Sequence, residues 1–424
     1  MVNLKWLRAN PDEFQKILDA RKSDFDLQSF LSLDRERRDL LLSVETLKSK
    51  KNLVSSQIGK DKSLKNNVDS LMSEMKDLAQ KIKSMDQKAK EIDLKVKQLA
   101  YKIPNRLHPT VPFGMSEKEN VFVKDWYPSS EKSDLDLFKS HEEIGARFDM
   151  FDLVRGAKLT GSGFVLYRSW GARLIRALIN FMLDLHINKH GYEEVLPPVL
   201  VNTATATGTG QLPHMSEDMY GIDDGSLYLI PTAEVPVTNI YAKEILEEKD
   251  LPKTFVAYTP CFRREAGAYG KNSKGITRLH QFDKVEMVRV VHPDTSYDHL
   301  EGLRENAEKV LKELELPYRV VELCSSDLSF GATKCYDLEV WAPGLNDFLE
   351  VSSCSNFEDF QARRMSLKFR SEKDASLELV HTLNGSGLAL PRTLIAILEN
   401  YQNKDGSLTV PRVLQKYLGT DLIK

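Results

Sequence analysis

Three clusters in the second half of the chain set charges into segments that otherwise look buried. The first, Tyr258 to Met287 (YTPCFRREAGAYGKNSKGITRLHQFDKVEM), reads as strand, glycine-rich polar loop, strand. Alternation along a strand puts Arg263 and Glu265 on one face, and His280, Phe282, Lys284 and Glu286 on one face of the return strand. Phe282 and Glu286 then stand about 13 Å apart at the usual rise per residue. That spacing lets Phe282 stack on a base while Glu286 binds an amine at the other end, with Arg263 reaching a phosphate between them. The same pattern also suits a salt-bridged strand pair on a solvent face.

The second cluster is EVSSCSNFEDFQARR, Glu350 to Arg364, at the end of a strand pattern. Glu350 and Ser353 offer hard oxygen ligands of the kind Mg²⁺ accepts while bridging phosphates, although an acid followed by serines is equally a strand end and turn. The third is TLNGSGLALPRTLIAILENYQ, Thr382 to Gln402, where a small-residue strand meets a helix beginning near Pro391. Arg392 sits at the positive end of that helix, which calls for an anion such as a phosphate or a nearby acid. Neither GxGxxG nor GxxxxGK[ST] occurs, so a nucleotide must be held without the standard glycine-rich cradles.

The elements that must position these residues belong to a chain of 424 residues, more than one core usually supports, so two domains are expected. A net charge of −3 excludes a basic coat for non-specific nucleic-acid binding, and any such contact must be regional. Four cysteines are spaced too widely for a zinc knuckle and are too few for a disulfide framework; reduced, buried thiols and no zinc are expected. No window approaches 18 continuous apolar residues, which predicts a soluble, cytoplasmic protein with no membrane partner.

The first hundred residues hold Gly59 as their only glycine and Pro11 as their only proline, so long helices follow. Val68, Leu71, Met75, Leu78, Ile82, Met85, Ala89, Ile92, Val96 and Leu99 alternate steps of three and four, a heptad seam over four repeats. A shorter copy runs through Leu40, Val44, Leu47, Val54 and Ile58, with Lys51 at the one polar seam position. The chain divides around Gly59, and GKDKSLKNN lies between the halves, predicting two antiparallel helices over approximately 28–100. Between Thr46 and Lys97 stand 13 lysines against 7 acids, a basic rod or simply a well-solvated coiled coil. Three prolines in Ile103 to Pro112 read as a linker, giving an N-terminal domain 1–102, a linker 103–112 and a second domain 113–424.

In this order the clusters resemble the motifs of class II aminoacyl-tRNA synthetases, and of the bacterial-type seryl-tRNA synthetases in particular. The resemblance spans essentially the whole chain, from the hairpin through GYEEVLPP (Gly191 to Pro198), GTGQLP, PTAEVP, FRRE, RLHQFDKVE and EVSSCSNFEDFQARR to NGSGLALPRT. It implies an α+β fold, with a long antiparallel helical arm and a catalytic domain on a mainly antiparallel sheet flanked by helices. It implies an ATP site of Arg263, Arg264, Glu265, Arg278, Leu279, Phe282, Glu350, Val351, Ser352, Ser353 and Arg392. Of these, Arg263 would hold the α-phosphate, Arg392 the γ-phosphate, and Glu350 with Ser353 the Mg²⁺; Glu265 would contact adenine and Phe282 stack on it. The serine pocket would be Thr232, Ala233, Glu234, Arg263, Glu286, Asn384 and Ser386, with Arg263, Glu350 and Arg392 carrying catalysis. Arg264, Thr277 and Pro391 depart from the commonest family pattern beside the motifs.

The implied reaction is ATP-dependent attachment of L-serine to tRNA(Ser) through seryl-adenylate, and to tRNA(Sec) where present. The implied partners are L-serine, ATP and tRNA(Ser), the last held by the arm through its long variable arm, and a second subunit paired through Ala172 to Pro198. Two other readings share this architecture: a paralogue loading a carrier protein, and a non-catalytic RNA-binding scaffold. The intact hairpin speaks against the first, and Arg263, Glu286, Glu350 and Arg392 against the second.

Overall fold

The computed structural model describes residues 1–64, 67–129, 138–266 and 274–424. Residues 65–66 of the predicted turn and 267–273 of the predicted glycine-rich loop lie outside the described residues. The chain forms two compact units, Val2–Asp19 with Ser23–Ile103, and Pro104–Lys424 with Met1 and Ala20–Lys22.

In the smaller unit, α1 (Leu27–Ser63) and α2 (Asp69–Ala100) form the long hairpin. Asp26 starts α1 by accepting the Ser29 N–H at 2.9 Å, which satisfies one donor the helix leaves open. Every seam position named above is buried or half-buried, with Val44, Val54, Leu78, Ile82, Ala89 and Val96 buried. Lys51 lays its stem in the seam and is half-buried. The cross-helix ion pairs Arg37–Asp93 (2.9 Å), Lys48–Asp86 (3.0 Å) and Lys50–Glu74 (2.7 Å) run in opposite directions along the two helices, as antiparallel packing requires. Such exposed pairs are worth about 0–1 kcal/mol each, so the apolar seam holds the hairpin. At 1.5 Å per residue, 37 residues make α1 about 55 Å long. The chain does not divide at Gly59, which lies inside α1 with open space around it, because a lone glycine costs a helix only about 1 kcal/mol and flanking turns carry it through.

The larger unit is built on an eight-stranded sheet. Its strands are β1 (Val121–Trp126), β2 (Glu193–Glu194), β3 (Lys253–Phe262), β4 (Gln281–Val291), β5 (Tyr318–Glu322), β6 (Lys334–Ala342), β7 (Asp347–Asn356) and β8 (His381–Ala389). The order is β1-β5-β6-β7-β8-β4-β3-β2, antiparallel except for the β2–β3 pair. Three helices, α3 (Ser169–His190), α4 (Ser296–Glu313) and α5 (Leu390–Asn400), bury Leu178, Met182, Leu303 and Leu394 in one cluster with Val285, Met287 and Leu383 of the strands. Strand alternation turns Phe282, Lys284 and Glu286 the other way, so the sheet has an apolar, helix-covered face and a polar one.

Two register shifts re-aim side chains on the polar face. The pairing steps from Leu338–Ser352 to Glu339–Glu350, leaving Val351 as an extra residue in β7. It steps from Val285–Leu388 to Glu286–Ser386, leaving Gly387 extra in β8. A Cβ on Gly387 would stand 2.7 Å from Nε2 of the buried His186 of α3, so this bulge requires glycine for close helix–sheet approach.

Candidate active site

A cavity of about 850 Å³ opens on the polar face of the sheet. Strand alternation delivers Phe282, Lys284 and Glu286 to it from β4. Unbroken alternation would put Glu350 and Ser353 on opposite faces; the bulge at Val351 turns both into the cavity. Glu350 therefore stands within β7 rather than at its end. Likewise the bulge at Gly387 lets Asn384, Ser386 and Ala389 of β8 all reach the cavity.

At one end, Arg263 places its guanidinium 5.2 Å from the Phe282 ring centroid and donates Nε–H to the Pro231 carbonyl at 3.4 Å. Arg278 ion-pairs with Glu265 at 2.5 Å. Arg392, in the first turn of α5, donates Nη1–H to the Glu350 carbonyl at 2.7 Å and lies 3.3 Å from its carboxylate. The anion that the helix end called for is thus Glu350 itself, in a pair that remains exposed enough to exchange partners. Arg263, Arg278 and Arg392 bring three guanidinium groups to one cavity, a set suited to a polyphosphate.

At the other end, Lys284, Glu234 and Glu286 are buried. Lys284 Nζ donates to Thr232 Oγ1 at 2.9 Å and contacts Glu286 Oε2 at 2.5 Å. The Glu234 N–H also donates to Thr232 Oγ1, at 3.2 Å. Both lone pairs of that hydroxyl are thereby occupied, leaving its O–H to donate to a ligand oxygen. Glu286 accepts from Asn384 Nδ2 at 2.9 Å and from Ser386 Oγ at 3.5 Å, and stays an acceptor toward a ligand ammonium or hydroxyl. Glu234 accepts from Gln361 Nε2 at 2.7 Å. Burial and then the Glu286 charge push the Glu234 carboxyl up to about 7, against the Gln361 hydrogen bond and the charges of Lys284 and Arg263. A hydroxyl donor, two carboxylates and a buried cation fit a small amino acid. The burial of Lys284 and Glu286 overturns the solvent-face reading of this strand pair.

Of the residues expected to bind ATP or serine, Thr232, Glu234, Arg263, Glu265, Arg278, Leu279, Phe282, Glu286, Glu350, Val351, Ser353, Asn384, Ser386 and Arg392 line this cavity. Three do not. Ala233 is fully buried beside it. Ser352 is buried and donates to the Ser386 carbonyl at 2.6 Å. Arg264 is exposed, its N–H donating to the Asp218 carbonyl at 2.8 Å. The expectation that alternation sets Arg263 and Glu265 on one face does not hold: β3 ends at Phe262 and Glu265 has φ +52°. His280 also leaves the predicted face, for β4 begins at Gln281 and the His280 ring stacks on Phe164 at 5.4 Å. Lys284 and Gln361 are the additions. Lys284 shares the parity of Phe282 and Glu286, whereas Gln361 lies inside the second cluster with no role read for it there, and arrives from the short helix Phe360–Met365.

The oxygen donors Glu350 and Ser353 suit Mg²⁺; Asp337, paired with Ser353 across β6 and β7, does not line the cavity, and burial and then the Glu350 charge raise its carboxyl well above the ordinary range. No cluster of three or more His, Cys, Asp or Glu able to hold a metal occurs among the described residues. A hard cation here would therefore complete its shell with phosphate oxygens and water, which Mg²⁺ does readily. All four cysteines are free and buried, and burial raises the thiols of Cys261, Cys335 and Cys354, so these are inert. No helix among the described residues is long and apolar enough to cross a membrane.

Residues 219–401 match the family model of the tRNA synthetase class II core domain (G, H, P, S and T), and residues 1–107 that of the seryl-tRNA synthetase N-terminal domain. Fold and site together are those of a class II aminoacyl-tRNA synthetase. The serine–tRNA ligase of Caldicellulosiruptor bescii is 55% identical over 424 residues, and that of Thermodesulfovibrio yellowstonii 51% over 428, each match covering 100% of both chains. Seryl-tRNA synthetase from Pyrococcus horikoshii, solved with ATP, superposes with a TM-score of 0.94 at 37% identity, covering 100% of this chain and 99% of that one. The serine–tRNA ligase of Naegleria fowleri, solved with AMP, gives 0.85 at 29%, covering 98% and 96%. The chain belongs to the seryl-tRNA synthetase family.

Proposed function

We propose that this chain joins L-serine to tRNA(Ser) in two steps through seryl-adenylate, and serylates tRNA(Sec) where present. The observation that carries this reading is one cavity in which β4 sets Phe282, Lys284 and Glu286 in line, with Arg263 over the aromatic end. The adenine stacks on Phe282 and contacts Glu265, and Arg263, Arg278 and Arg392 neutralise the phosphates. Glu286 and Glu234 take the serine ammonium and hydroxyl, and Thr232 donates to a serine oxygen. The serine carboxylate then attacks the α-phosphorus and pyrophosphate leaves; no protein nucleophile is needed, since the site works by positioning and charge neutralisation. Mg²⁺ held by Glu350 and Ser353 would add positive charge beside the phosphates. In the second step the tRNA 3′-hydroxyl attacks the activated carbonyl; the ester forms as the acyl–phosphate bond breaks, and AMP leaves with the hydroxyl's proton on its phosphate.

The lysine-rich hairpin of α1 and α2 binds tRNA through phosphates and so reads RNA shape, with a steep salt dependence. The chain works as a cytoplasmic homodimer through Ala172 to Pro198; within that stretch Leu196, at 85% exposed, is an apolar residue a second subunit would cover. The test is exchange of labelled pyrophosphate into ATP across all twenty amino acids without tRNA. Exchange with serine alone, lost in Arg263→Ala, is the expected result. Exchange with another amino acid would overturn the pocket assignment, and none at all would return the chain to the scaffold reading.

A further inference from the structure

The cavity extends beyond the residues used for adenylate formation. Next to the amino-acid end it is lined by Gly210 and by His214, the last residue of the short helix Gln211–His214, and by Ser329, Phe330 and Gly331 of a loop. The helix Thr203–Thr209, just before Gly210, is tied to the serine pocket: Gln361 Nε2 donates both to the Thr209 carbonyl (3.2 Å) and to Glu234 (2.7 Å). Arg364 donates to the Thr207 and Leu212 carbonyls at 3.1 and 3.3 Å.

On this base His214 lies flat over Phe330, ring centroids 4.5 Å apart and planes 17° from parallel. Phe330 is packed edge-on against Phe360 at 5.8 Å and 74°, and the Arg364 guanidinium stands 4.7 Å from Phe360 and 5.7 Å from Phe330. The lower rings are thus held in place, Phe330 half-buried and Phe360 buried, while His214 is exposed at the cavity wall. A backed, exposed ring beside a polar cavity is a platform for another flat π-face.

In the proposed second step, a flat group must come to this end of the cavity, because the attacking 3′-hydroxyl belongs to the terminal nucleoside of the RNA and must meet the serine carbonyl. We propose that His214, backed by Phe330, is the stacking platform for the terminal adenine of the acceptor strand. This rests on the tRNA-charging reading above. His214 touches the terminal base in the transfer step and has no part in serine activation.

The test uses the full chain, a tRNA(Ser) transcript, and the same transcript lacking its terminal adenosine. His214→Ala lowers kcat/KM for charging about 5- to 150-fold, the loss expected for one base–aromatic stack. His214→Phe restores it, and serine-dependent pyrophosphate exchange stays within twofold in both. The unmodified chain binds the complete transcript more tightly than the truncated one, and His214→Ala erases that difference. Charging unchanged in His214→Ala, failure of His214→Phe to restore it, or exchange and charging falling together would overturn the platform. Absence of serine-dependent exchange in the unmodified chain would instead overturn the parent reading.

Discussion

Glu234→Gln should make the protein more stable at alkaline pH while weakening its grip on serine. Burial and the neighbouring Glu286 charge lift the Glu234 carboxyl from its ordinary 4.5 to about 7. Between those values the folded chain holds a proton that the unfolded chain has released, so stability falls as pH rises through the window from about 4.5 to 7. At 1.36 kcal/mol per tenfold, the accumulated loss is roughly 3 kcal/mol, fully expressed above the upper value. Glutamine suffers no such loss and keeps an oxygen for Gln361, which donates to Glu234 at 2.7 Å. The assay is urea unfolding without serine or ATP, followed by tryptophan fluorescence; Trp126, Trp170 and Trp341 all report on the larger unit. The two proteins should coincide near pH 4.5, and the variant should lead by about 2–3 kcal/mol at pH 8. In pyrophosphate exchange the same variant should show a raised KM for serine and little change for ATP. Equal stability differences at both pH values would refute the account, because a purely geometric effect of the amide has no reason to titrate.

Lys284→Met leaves Glu286 buried without its 2.5 Å cation and Thr232 without its 2.9 Å donor. A charged hydrogen bond is worth about 1.5–3 kcal/mol, so serine kcat/KM in exchange should fall roughly 10- to 150-fold with the KM for ATP nearly unmoved; parallel changes in both KM values would count against a role confined to the serine pocket. Deleting residues 30–100 should abolish tRNA charging and spare adenylate formation, since the hairpin belongs to the smaller unit and the cavity to the larger. Loss of both activities would speak against that division of labour.

The local periodicities were legible from the chain because they depend only on neighbours. The three-four spacing from Val68 to Leu99 meets a seam that is buried or half-buried at every position. Parity two along QFDKVEM sends Phe282, Lys284 and Glu286 to the cavity and Val285 and Met287 to the core. The same rule failed where the strands stopped: Arg263, Glu265 and His280 lie past the ends of β3 and β4, where no ladder enforces alternation. Gly59 misled for a related reason, since helix propensity is a weak prior beside two packed seams.

The sequence by itself determined the long hairpin, the strand-rich second unit and the residue types gathered in its three clusters, because helical and strand periods are set by backbone geometry within a few residues. Only the tertiary structure decided how the clusters meet. The extra residues Val351 and Gly387 reverse strand parity, and a bulge arises from pairing with a neighbouring strand rather than from the bulged segment alone. Gln361 reaches Glu234 across 127 positions, and Arg392 finds Glu350 across 42. The raised Glu234 carboxyl likewise follows from desolvation and a second carboxylate brought close by the fold, neither of which exists in the extended chain.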